Sequence, residues 1–324
     1  MSQKVIMDCD PGHDDALAIL LAAKHLDVIG ITTVGGNQAL EKVTRNALKI
    51  LELGGITHIP VYKGHERPSI QSMVHAPECH GESGLEGVPL PEPSIQAQRG
   101  HAVDFLIDAV MSTDDVTLTA TGPLTNIASA IHREPRIIGR IREISLMGGS
   151  VTAGNWTAAA EYNIWADPEA AHVVFSSPIP KRMVGLNLTR QAPATPERIE
   201  RIRNLGNRTG RVMADLVTWF SNACYLLDGH PAVFLYDPCA VAWLIQPDLV
   251  RSQFLHVAIE LQGEYTRGMT VCDYRCLIGS DPGEEITGEV SPVRQGLQPN
   301  VNVGMRLDSD GFFELLTNTL AMYP

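Results

Sequence analysis

Residues 4–22 read KVIMDCDPGHDDALAILLA. The first six residues form an apolar-rich run, and Pro11-Gly12 then forces a tight turn. From Asp14 onward the apolar residues fall at helical spacing, with Leu17, Leu20 and Leu21 on one face. Strand, turn and helix in immediate succession make one half of a parallel βαβ unit. The four carboxylates Asp8, Asp10, Asp14 and Asp15 fall within eight residues at that turn. Asp8 and Asp10 are two apart on a strand and share a face.

The same alternation continues outward. Residues 26–34 (LDVIGITTV) read as a second strand, and 40–53 as a helix stopped by Gly54-Gly55. Further strands are expected at 116–121, 142–148 and 181–188, with helices near 101–111, 123–132 and 167–175. Near-continuous apolar strands separated by helices predict an α/β fold: an open, mostly parallel sheet with helices on both faces. Residues 196–245 read as helices broken by 230–238, and the tail as strands near 254–261 and 300–306 before a last helix at 310–322. The Pro-, Gly-, Ser- and His-rich stretch 66–99 is long enough to serve as a binding loop or lid. No repeat or linker divides the chain, so residues 1–324 are expected to form one domain.

In such sheets ligands bind beyond the carboxyl ends of the strands. DCDPGHDD, VGGN, ATGPLTN and MGGS each follow a predicted strand at that edge. A formal charge of −12 and the lack of a Lys/Arg cluster argue against a nucleic-acid polymer as partner. No apolar run reaches membrane-spanning length and the first residues lack a signal pattern, which predicts a cytoplasmic protein. The six scattered cysteines do not form a disulfide framework, and Cys272 and Cys276 lack the second pair of a metal site.

Asp14 and Asp15 open a helix, whose dipole favours negative charge. Capping of that kind explains one or two acids, and a proton-sharing pair another. Four converging carboxylates point most directly to a multivalent cation, and an oxygen-only donor set suits Ca²⁺ or Mg²⁺ rather than zinc.

DCDPGHDDALAI resembles the N-terminal signature of the inosine–uridine-preferring nucleoside hydrolases. VGGNQ (34–38), HGESGLEG (80–87), ATGPLTNIA (120–128), LMGG (146–149), GNWTAAAEYNIWADPEAA (154–171) and YDPCAVAWLI (236–245) follow in family order. The resemblance implies a Rossmann-like nucleoside hydrolase fold, a bound Ca²⁺, hydrolysis of ribonucleosides to ribose and free base in nucleoside salvage, and a homotetramer or homodimer. It implies Asp10, Asp15, Asp237 and the Thr121 carbonyl as metal ligands. Asp14, Asn155, Glu161, Asn163 and Asp237 would hold the ribose, Asp10 would act as general base, and Asn37 would position the attacking water. Asp8 would orient the loop from behind.

One position departs from the family pattern. Where many purine-active members carry a histidine before the last aspartate, this chain has Tyr236. An unperturbed tyrosine has a pKa of about 10 and is a poorer proton donor near neutrality than histidine. Together with His80, which matches a histidine of pyrimidine-leaning members, Tyr236 suggests a preference for uridine and cytidine. His230 and Tyr225 are further candidates over the pocket; His13, His75 and His101 are assigned no role. Trp156, Trp165 and Phe175 have spacing that suits core packing better than base stacking. A non-catalytic nucleoside- or ribose-binding protein is one alternative. A haloacid-dehalogenase-like phosphatase is another, although Pro-Gly-His-Asp-Asp replaces the residues that family places after its second aspartate.

Overall fold

A computed structural model describes residues 2–228, 232–273, 275 and 298–324. His230 and Cys276 lie outside the described residues. Ten strands are described: β1 (Lys4–Cys9), β2 (Asp27–Thr33), β3 (Val61–Lys63), β4 (Val116–Ala120), β5 (Ile141–Met147), β6 (Lys181–Val184), β7 (Val250–Leu255), β8 (Val257–Ile259), β9 (Thr270–Cys272) and β10 (Val301–Leu307). The main sheet has eight strands in the order β3-β2-β1-β4-β5-β6-β10-β7, and β8 and β9 form a separate antiparallel ribbon. All pairings in the main sheet are parallel except β10 with β7 at one edge. Strand order reverses at β1, which pairs with β2 on one side and β4 on the other. That switch point opens a crevice at the carboxyl ends of the two strands.

The helices before the last strands are α1 (His13–His25), α2 (Leu40–Leu53), α3 (Pro77–His80), α4 (Ala102–Ser112), α5 (Thr125–Arg133), α6 (Tyr162–Ala166) and α7 (Pro168–Ser176). Then follow α8 (Leu186–Thr189), α9 (Pro196–Arg203), α10 (Arg208–Asp228), α11 (Asp237–Ile245) and α12 (Ser309–Leu320). Two apolar cores cover the two faces of the sheet. Val5, Met7 and Cys9 enter the core built with α1, α2, α10, α11 and α12, whereas Ile6 enters the one built with α4, α5 and α7. This alternation is the period of two that a strand imposes. No described helix is long and apolar enough to cross a membrane.

Most predicted elements lie within a residue or two of their observed positions. Two stretches differ: the strand expected near 254–261 is the end of β7, which starts at Val250, followed by the separate β8, and 181–188 is a strand only to Val184, with α8 beginning at Leu186. Gly185 makes the turn: a Cβ there would lie 2.8 Å from Asn187 Oδ1 and 3.0 Å from the Gly149 carbonyl. The Leu186 N–H donates to that carbonyl, and Asn187 donates to the Gly304 carbonyl. These contacts come from β5 and β10, so no local pattern announces them.

The stretch 66–99 carries α3 and is held at several points. Asp167, wholly buried, caps α7 by accepting from the Ala170 N–H. Its other oxygen accepts from the Ser69 N–H, the Ser69 hydroxyl and the Thr125 hydroxyl, at 2.8 to 2.9 Å. Gln71 donates to the Trp165 and Ala166 carbonyls, and Glu52 accepts from Ser94 and Ile95. The stretch expected as a binding loop or lid is thus tied to α7 at one end and to α2 at the other. Asp167→Ala leaves several buried donors unpaired and should lower unfolding stability by about 3 kcal/mol, the scale of two charge-assisted hydrogen bonds. Denaturant midpoints of the variant and the parent protein check this.

Candidate active site

Asp10 follows the last residue of β1, deep in the crevice and fully buried. Its Oδ2 accepts from the Asn37 N–H at 2.7 Å, and its backbone carbonyl accepts from the Asn37 side chain at 3.1 Å. Gly36 allows this approach, because a Cβ there would lie 1.9 Å from Asp10 Oδ2. Asp10 Oδ1 has no hydrogen-bond partner. Asp14 and Asp15 open α1 and are also buried. Asp15 accepts from the Gly12 N–H at 3.0 Å and the Thr121 hydroxyl at 2.7 Å. Asp237 opens α11 from more than two hundred residues further along the chain. One carboxylate oxygen each from Asp14, Asp15 and Asp237 lies within 4.8 Å of the others.

Asp10 is not part of that trio, although the Asp15 charge acts on it and its own charge acts on Asp237. Asp14, expected only at the ribose, is part of it. None of the ion pairs among the described residues reaches these four carboxylates. Burial pushes Asp10 and Asp237 well above the usual carboxylate range, and their acidic neighbours push the same way. Burial and then the Asp14 charge raise Asp15 to about 7. With no ion beside them, all four carboxyls have raised proton affinity, and Asp237 hydrogen-bonds to both Asp14 and Asp15. A buried cluster of oxygen donors with an unpaired Asp10 oxygen and no protein cation fits a hard divalent ion.

A second layer locks these groups. Asp8 Oδ1 accepts from Thr32 at 2.6 Å and Asn126 at 2.7 Å, while burial raises the Asp8 carboxyl to about 6. Asn126 also donates to the Thr33 carbonyl. Asp8 thus ties β1 to β2 and α5 from beneath the cluster. The Thr121 carbonyl accepts from the Asn163 side chain at 2.9 Å.

Above the acids lies a cavity of about 450 Å³. Its polar wall includes Asp14, Asn37, Thr121, Asn155, Glu161, Asn163 and Asp237. Glu161 caps α6, accepting from the Asn163, Ile164 and Gly149 N–H groups. Burial still raises its carboxyl to about 7. Asn155 accepts from the Tyr162 N–H and so holds its loop against α6. The apolar side of the cavity includes Met147, Trp156, Tyr162, Phe220 and Tyr236.

The residues assigned to the metal, the ribose and catalysis from the sequence come to the cavity or to the carboxylates beneath it, whereas Tyr225 does not line it and His230 lies outside the described residues. Trp156 and Trp165 pack against a small core cluster with Ala76, Tyr162 and Ala166 and Phe175 is in a main core, as expected, but Trp156 also lines the cavity. Its place beside Asn155 was the available signal. Tyr225 is largely exposed at the end of α10. His75 Nδ1 donates to the Gly36 carbonyl at 2.8 Å, and the His101 side chain caps α4.

His13, assigned no role, is buried against the site. Its ring lies nearly parallel to Trp219 and Phe220, with centroids 5.1 and 5.2 Å away, and contacts His80. Burial lowers His13 to about 4 and His80 well below the usual imidazole range. His13 lies inside the acidic motif, but its spacing alone does not distinguish it from a solvated loop residue.

Comparison with known proteins agrees with this geometry. The family model for inosine-uridine preferring nucleoside hydrolase matches residues 5–314. The chain is 41% identical over 329 residues to the pyrimidine-specific ribonucleoside hydrolase RihA of Escherichia coli K12, with both chains fully covered. Among solved structures, a purine-preferring ribonucleoside hydrolase from Gardnerella vaginalis is 32% identical, with a TM-score of 0.87 and 98% of each chain covered. A plant nucleoside hydrolase, PpNRh1, is 29% identical, with a TM-score of 0.88 and 99% of each chain covered. These relatives are enzymes, and their match along the whole chain sets aside the phosphatase and non-catalytic alternatives. The crevice of buried acids, the strand order around it and these matches show that the chain belongs to the inosine-uridine preferring nucleoside hydrolase family and hydrolyses ribonucleosides.

Proposed function

We propose that the enzyme cleaves ribonucleosides to ribose and free base around a calcium ion, with preference for uridine and cytidine. The observation that carries this reading is the buried acidic crevice: three carboxylate oxygens within 4.8 Å of one another, with the unpaired Asp10 Oδ1 nearby. Asp10, Asp15, Asp237 and the Thr121 carbonyl are the proposed ligands, and the geometry adds Asp14 as a candidate. A calcium ion there supplies positive charge that polarises the ribose hydroxyls and makes water more acidic.

The chain's own residues do the rest. As the C–N bond breaks, the sugar gains oxocarbenium character and the base gains negative charge. Asp14, Glu161, Asn163 and Asp237 hold the ribose hydroxyls, Asn155 holds the far side of the sugar, and their oxygens stabilise the developing positive charge. Asp10 takes a proton from the attacking water; Asn37 holds one Asp10 oxygen and leaves the other directed to its task. Tyr236 lies beside the departing base and offers it a phenolic hydrogen bond. Similarity to a pyrimidine-specific hydrolase supports the base preference, although the family also includes a purine-preferring neighbour at lower identity. A cytoplasmic location, a place in nucleoside salvage and assembly as a homodimer or homotetramer belong to the same reading through the resemblance.

Release of reducing sugar from uridine, cytidine, inosine and adenosine, measured side by side, tests the preference. Uridine or cytidine should be cleaved fastest, and inosine in first place would overturn it. Activity should disappear in a chelator and return with calcium; full activity after exhaustive chelation would remove the metal from the scheme. Asp10→Asn should retain nucleoside binding but lower kcat by about a hundredfold or more, the range of general-base catalysis. Near-parental turnover would exclude that role.

The ion-free protein should also show a characteristic pH dependence. Asp15 and Glu161 are raised to about 7 and Asp8 to about 6, mainly by burial. Such groups bind protons more tightly in the folded than in the unfolded chain. Their contribution is complete below about pH 4 and is lost as pH rises through about 6 to 7. Thermal melts in chelator should therefore fall between about pH 5 and pH 8, with calcium reversing most of the fall. An equal fall with and without calcium would contradict the assignment.

A further inference from the structure

The cavity above the acids carries sulfur as well as oxygen. Cys79 of α3 and Cys224 of α10 both line it, and neither belongs to the groups that hold the ion or the sugar. α3 packs against α10, and the His80 ring lies 5.0 Å from the Phe220 ring between them. Cys79 is next to His80 in the chain and packs beside Tyr162. Cys224 follows Phe220 by four residues, which puts it on the same face of α10 one turn further on. Two thiols from two packed elements therefore open onto the apolar side of one cavity, with Phe220 and Tyr162.

The other cysteines among the described residues are placed differently. Cys9, Cys239 and Cys272 are buried, and their S–H groups donate to the backbone carbonyls of Thr32, Leu235 and Ser150. Cys79 and Cys224 are only half-buried. Thiol chemistry follows access to the sulfur, so a reagent entering the folded protein meets these two first. The carboxylate oxygens beneath them are hard donors suited to an ion and to hydroxyl groups, whereas a cysteine sulfur is soft. The cavity thus joins a hard floor to a soft wall.

We propose that Cys79 and Cys224 form a thiol-modification site within the substrate cavity, and that its ligand class is a soft carbon electrophile, delivered most effectively on the base of a nucleoside. With a haloacetamide, the cysteine sulfur attacks the carbon that bears the halogen. The sulfur–carbon bond forms, the carbon–halogen bond breaks, the halide leaves with the bonding pair, and the thiol proton passes to solvent. The added group fills space beside Phe220 that the base needs, so modification blocks the substrate without touching the acids. That the thiols flank the base rests on the proposed function; that they are the accessible thiols of the cavity does not.

The test treats the calcium-loaded enzyme with iodoacetamide, maps the label by peptide mass spectrometry and follows uridine hydrolysis in parallel. Cys79 and Cys224 should be labelled ahead of Cys9, Cys239 and Cys272, and activity should fall in step with that label. Pseudouridine, whose carbon–carbon glycosidic bond resists hydrolysis, should slow both labelling and inactivation at concentrations that inhibit uridine cleavage. The Cys79→Ala/Cys224→Ala double variant should still hydrolyse uridine and should resist iodoacetamide. Full activity with both thiols labelled, loss of activity with label on Cys276 alone, or inactivation of the double variant at the parental rate would each overturn the proposal. If the double variant does not fold, the order of labelling in the parent enzyme and its protection by pseudouridine decide the matter. Uridine carrying a chloroacetamido group at C5 should label the same thiols about tenfold or more faster than chloroacetamide at equal concentration, because the sugar wall holds it in place. Equal rates would overturn delivery on the base and count against the uridine site, whereas the iodoacetamide result judges the thiols alone.

Discussion

Four carboxylates buried at one point without a protein cation dominate the energetics of this molecule. Removing ionised groups from water is among the most unfavourable events in folding, and their mutual repulsion adds to it. In isolation the cluster favours protonation, since burial and mutual repulsion raise the proton affinity of Asp10, Asp15 and Asp237. A divalent ion relieves it in another way, by supplying the missing charge. The feature that makes the ion-free crevice unstable is the one that gives it affinity for positive charge, in an ion or in a developing cationic sugar.

Holding such a cluster requires a rigid frame. The reversal of strand order at β1 places the turn after β1, the loop after β2 and the end of β4 around one crevice. Asp8 joins three of these segments through Thr32 and Asn126. Thr121 links the acids to the sugar wall, donating to Asp15 through its hydroxyl and accepting from Asn163 at its carbonyl. Nearly every polar atom around the cluster is thus already satisfied, which leaves few rearrangements open to it. The unpaired Asp10 oxygen is an exception in the layer the mechanism would use.

Much of the site was legible because its parts are local motifs. DCDPGHDD contains a strand end, a turn and a helix start, and residues 155–163 contain several polar groups of the cavity wall. The pairing of His13 with His80 was not legible. It depends on α1, α3 and the 81–87 turn meeting the α10 face that carries Trp219 and Phe220. Trp156 shows the same limitation, since its spacing is equally compatible with the core and the cavity.

By itself the sequence determined the order of most strands and helices and the parallel sheet, because periodicity and turn chemistry act over a few residues, while the acid at Asp237 was reached through the family resemblance. Only the tertiary structure decided which oxygens face one another. Asp14, Asp15 and Asp237 meet across more than two hundred residues, and Asp10 lies beside that trio rather than within it. The physical reason is that side-chain direction at a strand end depends on the loops packed around it. Gly36 and Gly122, from two neighbouring loops, admit the Asp10 carboxylate and aim it, and that packing is set by contacts remote in the chain.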